Sequence, residues 1–218
     1  MNKFFTLTVV ISLFFSFVNA EVVNKINISG NKRVSEETIK IYGEIEIKKN
    51  YSEGKINEII KNLYSTDFFE DIQIELKNNV LNIKVKEYPI INQLIIIGEK
   101  SNKYKEQIIK LIQSKEKKSL IRPYLAKDIE IIKKLYSSSG YNSSNVDVKV
   151  KKIDEYNYAM VIEINRGDQT KITSINFIGN NNIRSNRLRD VIASEQDKFW
   201  KILSKNTNLS ENLIQLDK

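Results

Sequence analysis

Histidine and cysteine are both absent from the 218 residues, which excludes imidazole bases, thiol nucleophiles, disulfides and the common zinc ligands. Chemistry is left to carboxylates, hydroxyls and lysines. Glu70 and Asp71 are adjacent carboxylates, but neighbours in a strand point to opposite faces, so they are not expected to work as an acid–base pair. A hydrolase built on serine–lysine or carboxylate chemistry would need a nucleophile beside its base, and no segment gathers such groups. Phe199-Trp200 could anchor a partner, although paired aromatics before a helix more commonly cover a domain's own core. No catalytic residue, cofactor or metal site is assigned, and no enzyme is expected.

The first residues read as an export signal. Lys3 precedes an apolar run from Phe4 to Val18, and Val18-Asn19-Ala20 offers small residues for cleavage between Ala20 and Glu21. The run is shorter than the roughly 20 residues of a membrane span and has no basic stop on its far side. Residues 1–20 are therefore assigned to a signal peptide, and the mature chain is expected to be exported. In an exported chain of bacterial type, the acceptor pattern Asn142-Ser143-Ser144 carries no weight as a glycosylation site. The formal net charge is +8, yet lysine alternates with acid throughout, as in Lys84, Lys86 and Glu87. That describes a solvated face rather than a nucleic-acid stripe, and no nucleic-acid partner is expected.

The elements that must position any site come in copies. Ile26-Asn27-Ile28-Ser29-Gly30-Asn31, Leu94-Ile95-Ile96-Ile97-Gly98-Glu99 and Ile175-Asn176-Phe177-Ile178-Gly179-Asn180 share one pattern, with glycines 68 (98 − 30) and 81 (179 − 98) residues apart. After Gly30, Ser35 is placed to cap a helix stapled by Val34 and Ile39, which Gly43 should release into a loop. Ser52 caps the next, stapled by Tyr51 and Ile56, with Ile56, Ile59, Ile60, Leu63 and Tyr64 along one apolar side. Ile72, Ile74 and Leu76, then Leu81, Ile83 and Val85, alternate with polar residues around Asn78-Asn79, a pair suited to a two-residue hairpin turn. The order is β-α-α-β-β.

The second copy repeats it. Ile91 to Ile97 is a strand, Tyr104, Ile108, Leu111 and Ile112 mark one helix, and Leu125, Ile129, Ile132 and Tyr136 mark another that Gly140 ends. Val146, Val148 and Val150 alternate in a strand, and residues 157–165 close the unit. Leu63-Tyr64-Ser65 and Leu135-Tyr136-Ser137 fall at matching places. A third copy opens with a strand from Lys171 to Ile178, a helix capped near Ser185 and further turns from Ser210, without a hairpin. So little apolar surface would be buried there that 171–218 is expected to be loosely ordered, and the sequence reads as a truncated product or a fragment. The expected fold is α+β, with a first domain at 21–89, a second at 90–168 and an incomplete third at 169–218. Gly30, Gly98, Gly140 and Gly179 are assigned to turns or caps.

These residues resemble the POTRA domains of the BamA family of outer-membrane protein assembly factors. The resemblance rests on the β-α-α-β-β order, the strand-Gly-Asn openings, the segment from Leu63 through Ser65-Thr66-Asp67-Phe68-Phe69-Glu70-Asp71 to Ile72, and Val85-Lys86-Glu87-Tyr88-Pro89. Gly167-Asp168-Gln169-Thr170-Lys171-Ile172 looks like that family's junction between its second and third units. Asp67 stands where the family has Gly, Tyr88 where it has Arg, and Glu99 where it has Asn. The resemblance implies three-stranded mixed sheets covered by two antiparallel helices, at the periplasmic face of the outer membrane. It also implies contact with unfolded outer-membrane proteins and accessory assembly lipoproteins, and a membrane tie through a β-barrel absent from this sequence. TamA-like factors, two-partner secretion transporters and division proteins carry similar units and are the rival readings, with an exported hydrolase the rival of a different class.

In such units the final strand lies centrally, which leaves the strand before it on an edge. An edge exposes N–H and C=O groups to which an extended peptide can add. The candidates are Asp71, Ile72, Gln73, Ile74, Glu75 and Leu76, and Asn145, Val146, Asp147, Val148, Lys149 and Val150. The same charges could equally be placed to prevent pairing. Proline at Gln73 or Asp147 is expected to separate the two readings.

Overall fold

The computed structural model describes residues 21–198 and 207–218; the signal peptide with its cleavage site at Ala20, and Phe199-Trp200, lie outside them. The chain is α+β and divides into two compact units, the first ending at Tyr88 and the second beginning at Pro89.

The first unit runs β1 (Glu21–Val22), β2 (Lys25–Ser29), α1 (Glu36–Gly43), β3 (Asn50–Tyr51), α2 (Glu53–Tyr64), β4 (Phe69–Lys77) and β5 (Val80–Glu87). Both helices are capped as expected: Thr38 N–H donates to Ser35 Oγ at 3.2 Å and Lys55 N–H to Ser52 Oγ at 3.3 Å, with glutamates in the first turns. Their apolar sides bring Ile39, Ile59 and Leu63 onto Phe69, Ile72, Leu81, Ile83 and Val85 of the sheet. The sheet order is β2-β5-β4, with β5 central, parallel to β2 and antiparallel to β4. Asn78 and Asn79, at φ 52° and 61°, form the tight turn between β4 and β5.

Three details depart from expectation. Gly43 lies inside α1, buried, where an added Cβ would sit 2.7 Å from Ile45 Cδ1, and the left-handed residue that stops the helix is Glu44, at φ 52°. Tyr64 is not core: the residue is 41% exposed. A short β1–β3 ladder also forms, too brief for its two-residue strands to show any alternation in sequence.

The second unit runs β6 (Ile90–Ile97), α3 (Asn102–Leu111), α4 (Arg122–Ser137), β7 (Asn145–Lys152) and β8 (Asn157–Asn165), with sheet order β6-β8-β7. Ile108, Ile112, Ile132 and Tyr136 are buried against Ile91, Val146, Met160 and Ile162, whereas Leu111 faces solvent. Neither helix has a side-chain N-cap bond. Instead the fully buried Asp128 on α4 accepts from Gln113 N–H at 2.7 Å and Ser114 N–H at 3.0 Å, holding the turn after α3. Gly140, at φ 86°, ends α4: its N–H donates to Ser137 O and that of Tyr141 to Tyr136 O, the paired bonds of a Schellman motif.

The strand expected from Lys171 to Ile178 does not form. Only an isolated antiparallel bridge joins Lys171 to Asn208, because a strand needs a ladder and the run has no hairpin to pair with among these residues. The segment rests on the end of α4, with Thr170 N–H donating to Gly140 O and Asn142 Nδ2 to Leu209 O, both at 2.8 Å. It adds two short helices, α5 (Ser185–Arg189) and α6 (Glu211–Leu216). Ser185 lies within α5 and makes no cap bond, whereas Ser210 caps α6.

Candidate peptide-docking edges

The strands singled out in sequence, β4 and β7, each form one edge of their sheet. Residue alternation decides which of their backbone groups face outward. Lys77 and Val80 close a two-residue turn, which makes them a hydrogen-bonded pair. Counting back, Glu75, Gln73 and Asp71 also bond β5, while Leu76, Ile74 and Ile72 turn their N–H and C=O away from it. Ile72 bears this out, since its N–H donates to Tyr64 Oη at 3.2 Å rather than to β5. In β7 the bond from Ile153 N–H to Asn157 O, 2.9 Å, sets the same parity. Val146, Val148 and Val150 face outward there, and Asn145, Asp147, Lys149 and Lys151 bond β8.

This parity reverses the choice of proline variants. The N–H groups of Gln73 and Asp147 belong to the internal ladder, so proline at either would break the sheet itself. The outward amides belong to residues whose side chains point to the core. On the other margin of the second sheet, the loop before α4 covers the start of β6: Ile91 N–H donates to Lys118 O at 2.9 Å, and Leu94 N–H to Glu116 Oε1 at 3.0 Å.

Glu70 and Asp71 do not obey simple alternation. A bulge between Phe69 and Asp71 adds a residue to β4 and brings both carboxylates to the face that Lys86 occupies. Lys86 Nζ pairs with Glu70 Oε2 at 2.7 Å and stands across from Asp71. Its hydrogen bond to Glu70, with the charge of Asp71 behind it, holds the ammonium above its ordinary pKa. The acids are engaged in surface pairing on an open sheet face.

The glycine openings differ in what they meet. Gly30 and Gly98 have φ of 85° and 84°, and an added Cβ would stand 2.0 Å and 1.9 Å from the carbonyl oxygens of Val85 and Ile164 in the central strands. Gly179 shares the left-handed φ, at 79°, with nothing nearby. Behind each of the first two openings lies a charged corner that no sequence pattern announced. Glu87, its side chain 3% exposed, accepts from the N–H groups of Lys32, Arg33 and Val34 at 2.7–3.0 Å and pairs with Arg33 Nε at 3.1 Å. In the second unit the signs are exchanged: buried Glu99 sits in the opening loop and Arg166 at the end of the central strand. Tyr136 Oη donates to Glu99 Oε2 and Ser101 N–H to Oε1, each at 2.6 Å.

The second corner makes stability depend on pH. Burial opposes the charge on Glu99, but the bonds from Tyr136 and Ser101 and the nearby Arg166 outweigh it and hold the carboxyl below its usual 4.5. Burial, then the bond to Glu99, pushes the Tyr136 hydroxyl well above its usual 10. Glu99 thus contributes stability that is present above about pH 4.5 and lost as pH falls through its lowered value, while Tyr136 contributes stability present below about pH 10 and lost as pH climbs. The urea midpoint of the second unit is expected to drop on both sides, with Glu99→Gln flattening the acid limb. An acid limb unchanged in that variant would assign the effect to other carboxylates.

The two units share one β-α-α-β-β order and one sheet topology. The profile described as POTRA, surface antigen variable number repeat, matches residues 21–88 and again residues 89–167. The chain belongs to the POTRA family. The chain is 26% identical over 203 residues to the outer membrane protein assembly factor BamA of Neorickettsia risticii, covering 93% of this chain and 27% of that one. Against BamA of Neisseria meningitidis serogroup B the identity is 25% over 198 residues, covering 89% and 25%. The chain spans about a quarter of the length of these curated relatives. Among solved structures, the N-terminal domain of Omp85 from Thermosynechococcus elongatus matches with a TM-score of 0.46 at 12% identity, over 90% of this chain and 82% of that one. The resemblance read from Leu63 to Pro89 therefore holds at the level of the family. Sequence reasoning missed the POTRA corners at Glu87 and Glu99 and the buried Asp128. Each is one acid among many, and only the fold shows the backbone amides that converge on it.

Proposed function

We propose that the chain is the periplasmic scaffold region of an outer-membrane protein assembly factor, with units at 21–89 and 90–168 and the opening of a third at 169–218. It holds unfolded outer-membrane protein segments and docks accessory lipoproteins by strand addition along β4 and β7, without enzymatic activity or a cofactor. Its tie to the outer membrane runs through a barrel outside these residues. The observation that carries the reading is the row of outward backbone groups at Ile72, Ile74 and Leu76 and at Val146, Val148 and Val150. Each new bond nets about 0.5–1.5 kcal/mol, and the entropy of ordering the peptide is set against it. Binding is therefore weak, in the high-micromolar to millimolar range, and tolerant of sequence, as transient contact with many clients requires.

The test is amide exchange on residues 21–218 with an excess of an extended, uncharged valine–threonine peptide. Exchange is expected to slow at Val146, Val148 and Val150 of β7 and at Ile74 and Leu76 of β4, and to stay unchanged at Gln73 and Asp147, which are already bonded. Slowing that spares both edges would reject strand addition.

A further inference from the structure

The two candidate edges differ in what surrounds their free backbone. On the outer face of β4, beside the outward groups, stand Asp71, Gln73 and Glu75; Asp71 accepts from Gln73 Nε2 at 2.8 Å, and Glu75 is exposed. Glu70, paired with Lys86, is brought to the same face by the bulge, and exposed Lys77 stands at the far end of the strand. On β7 the corresponding residues are Asp147, Lys149 and Lys151, all exposed. Lys149 pairs with Glu163 at 2.6 Å while remaining 59% exposed, and Lys151 has no ion pair among the described residues. One edge is mainly acidic, the other mainly basic. They differ also in backbone access, because Tyr64 Oη occupies the Ile72 amide, whereas Tyr136, which replaces Tyr64 in the second copy, is buried and turned to Glu99.

An added strand places alternate side chains on the outer face, about 4.5–5.5 Å from those directly opposite. Opposite charges there favour a peptide, and like charges reject it. We propose that the two docking edges are sorted by charge: β7 takes extended segments with carboxylates at alternate positions, and β4, partly closed by Tyr64, takes segments with lysine or arginine there. This rests on the strand-addition reading and assigns each edge its class of segment. A client with an acidic and a basic strand in succession would engage the two units with different parts of its chain. The preference is modest, about threefold per solvent-exposed pair and about tenfold for two, and screened by salt.

Three eight-residue peptides test it on uniformly 15N-labelled residues 21–218 at low ionic strength: alternating valine–glutamate, valine–lysine and valine–threonine. The glutamate peptide is expected to shift the amides of Val146, Val148 and Val150 at about tenfold lower concentration than the lysine peptide, with the order reversed at Ile74 and Leu76. The double variant Lys149→Glu/Lys151→Glu should invert the preference at β7, and 0.5 M salt should abolish it. Tyr64→Phe, which keeps the ring, should tighten the lysine peptide at β4 about threefold and extend its footprint to Ile72. Equal binding of all three peptides at both edges overturns charge sorting but leaves strand addition intact. No shift at either edge with any peptide, the valine–threonine one included, overturns strand addition itself. An unchanged β4 affinity in Tyr64→Phe overturns the part given to Tyr64.

Discussion

Gly98→Ala is expected to cost the second unit about 2–5 kcal/mol, at its upper end enough to unfold a marginal domain. Two effects add. The residue sits at φ 84°, which a Cβ makes unfavourable by about 1–2 kcal/mol. The new methyl would also stand 1.9 Å from Ile164 O, and a backbone oxygen in a central strand has no rotamer to escape into, so the overlap adds about 1–3 kcal/mol. Gly30→Ala should do the same to the first unit, where the distance to Val85 O is 2.0 Å. Gly179→Ala serves as the control: it meets nothing within 4 Å, and only the conformational part, about 1–2 kcal/mol, remains. Urea unfolding followed at probes within each unit measures all three. A Gly98 variant no weaker than the Gly179 one would mean that the close approach to the central strand is relieved at little cost.

The second large effect is expected at Glu87. Its carboxylate neutralises Arg33 and satisfies three consecutive backbone N–H groups from a nearly water-free position. Glu87→Ala strands those donors and leaves Arg33 without a carboxylate, with the Tyr88 carbonyl still accepting from its Nη2, a loss of about 3–5 kcal/mol by analogy with broken buried pairs. Glu87→Gln keeps an oxygen for the amides and should lose less. In a double-mutant cycle with Arg33→Ala, the cost of losing Glu87 should shrink but not vanish, because the amides of Lys32 and Val34 remain unsatisfied. Full rescue by Arg33→Ala would reduce the corner to a single ion pair.

Both effects lie at positions that periodicity marks only in part. The glycines were visible because they recur at the end of similar strands, and the helices and hairpins because apolar residues keep a period near 3.6 in one and two in the other. Ser35, Ser52 and Asn78-Asn79 act through bonds and dihedrals within a few residues, so their sequence neighbourhood suffices to read them. Glu87 acts across more than fifty residues of chain, and no local pattern distinguishes it from Glu75. The bulge at Glu70 defeated strict alternation, since one inserted residue shifts a side chain to the other face without altering composition. The run from Lys171 to Ile178 has the makings of a strand, but strand formation depends on a partner and not only on propensity. The direction of the edge amides was likewise invisible, because it follows from hydrogen-bond parity counted from a turn.

The sign exchange between the two corners bears on how the repeats avoid confusion while they form. Neighbouring repeats of like topology risk threading one another's terminal strand into the wrong sheet. If β8 entered the first unit, Arg166 would arrive where Glu87 belongs and confront Arg33; if β5 entered the second, Glu87 would be driven toward Glu99. Either mistake sets like charges together, and the first also leaves the amides of Lys32, Arg33 and Val34 without an acceptor. The polarity of each corner is thus a keyed fitting that admits the native strand and repels its sibling.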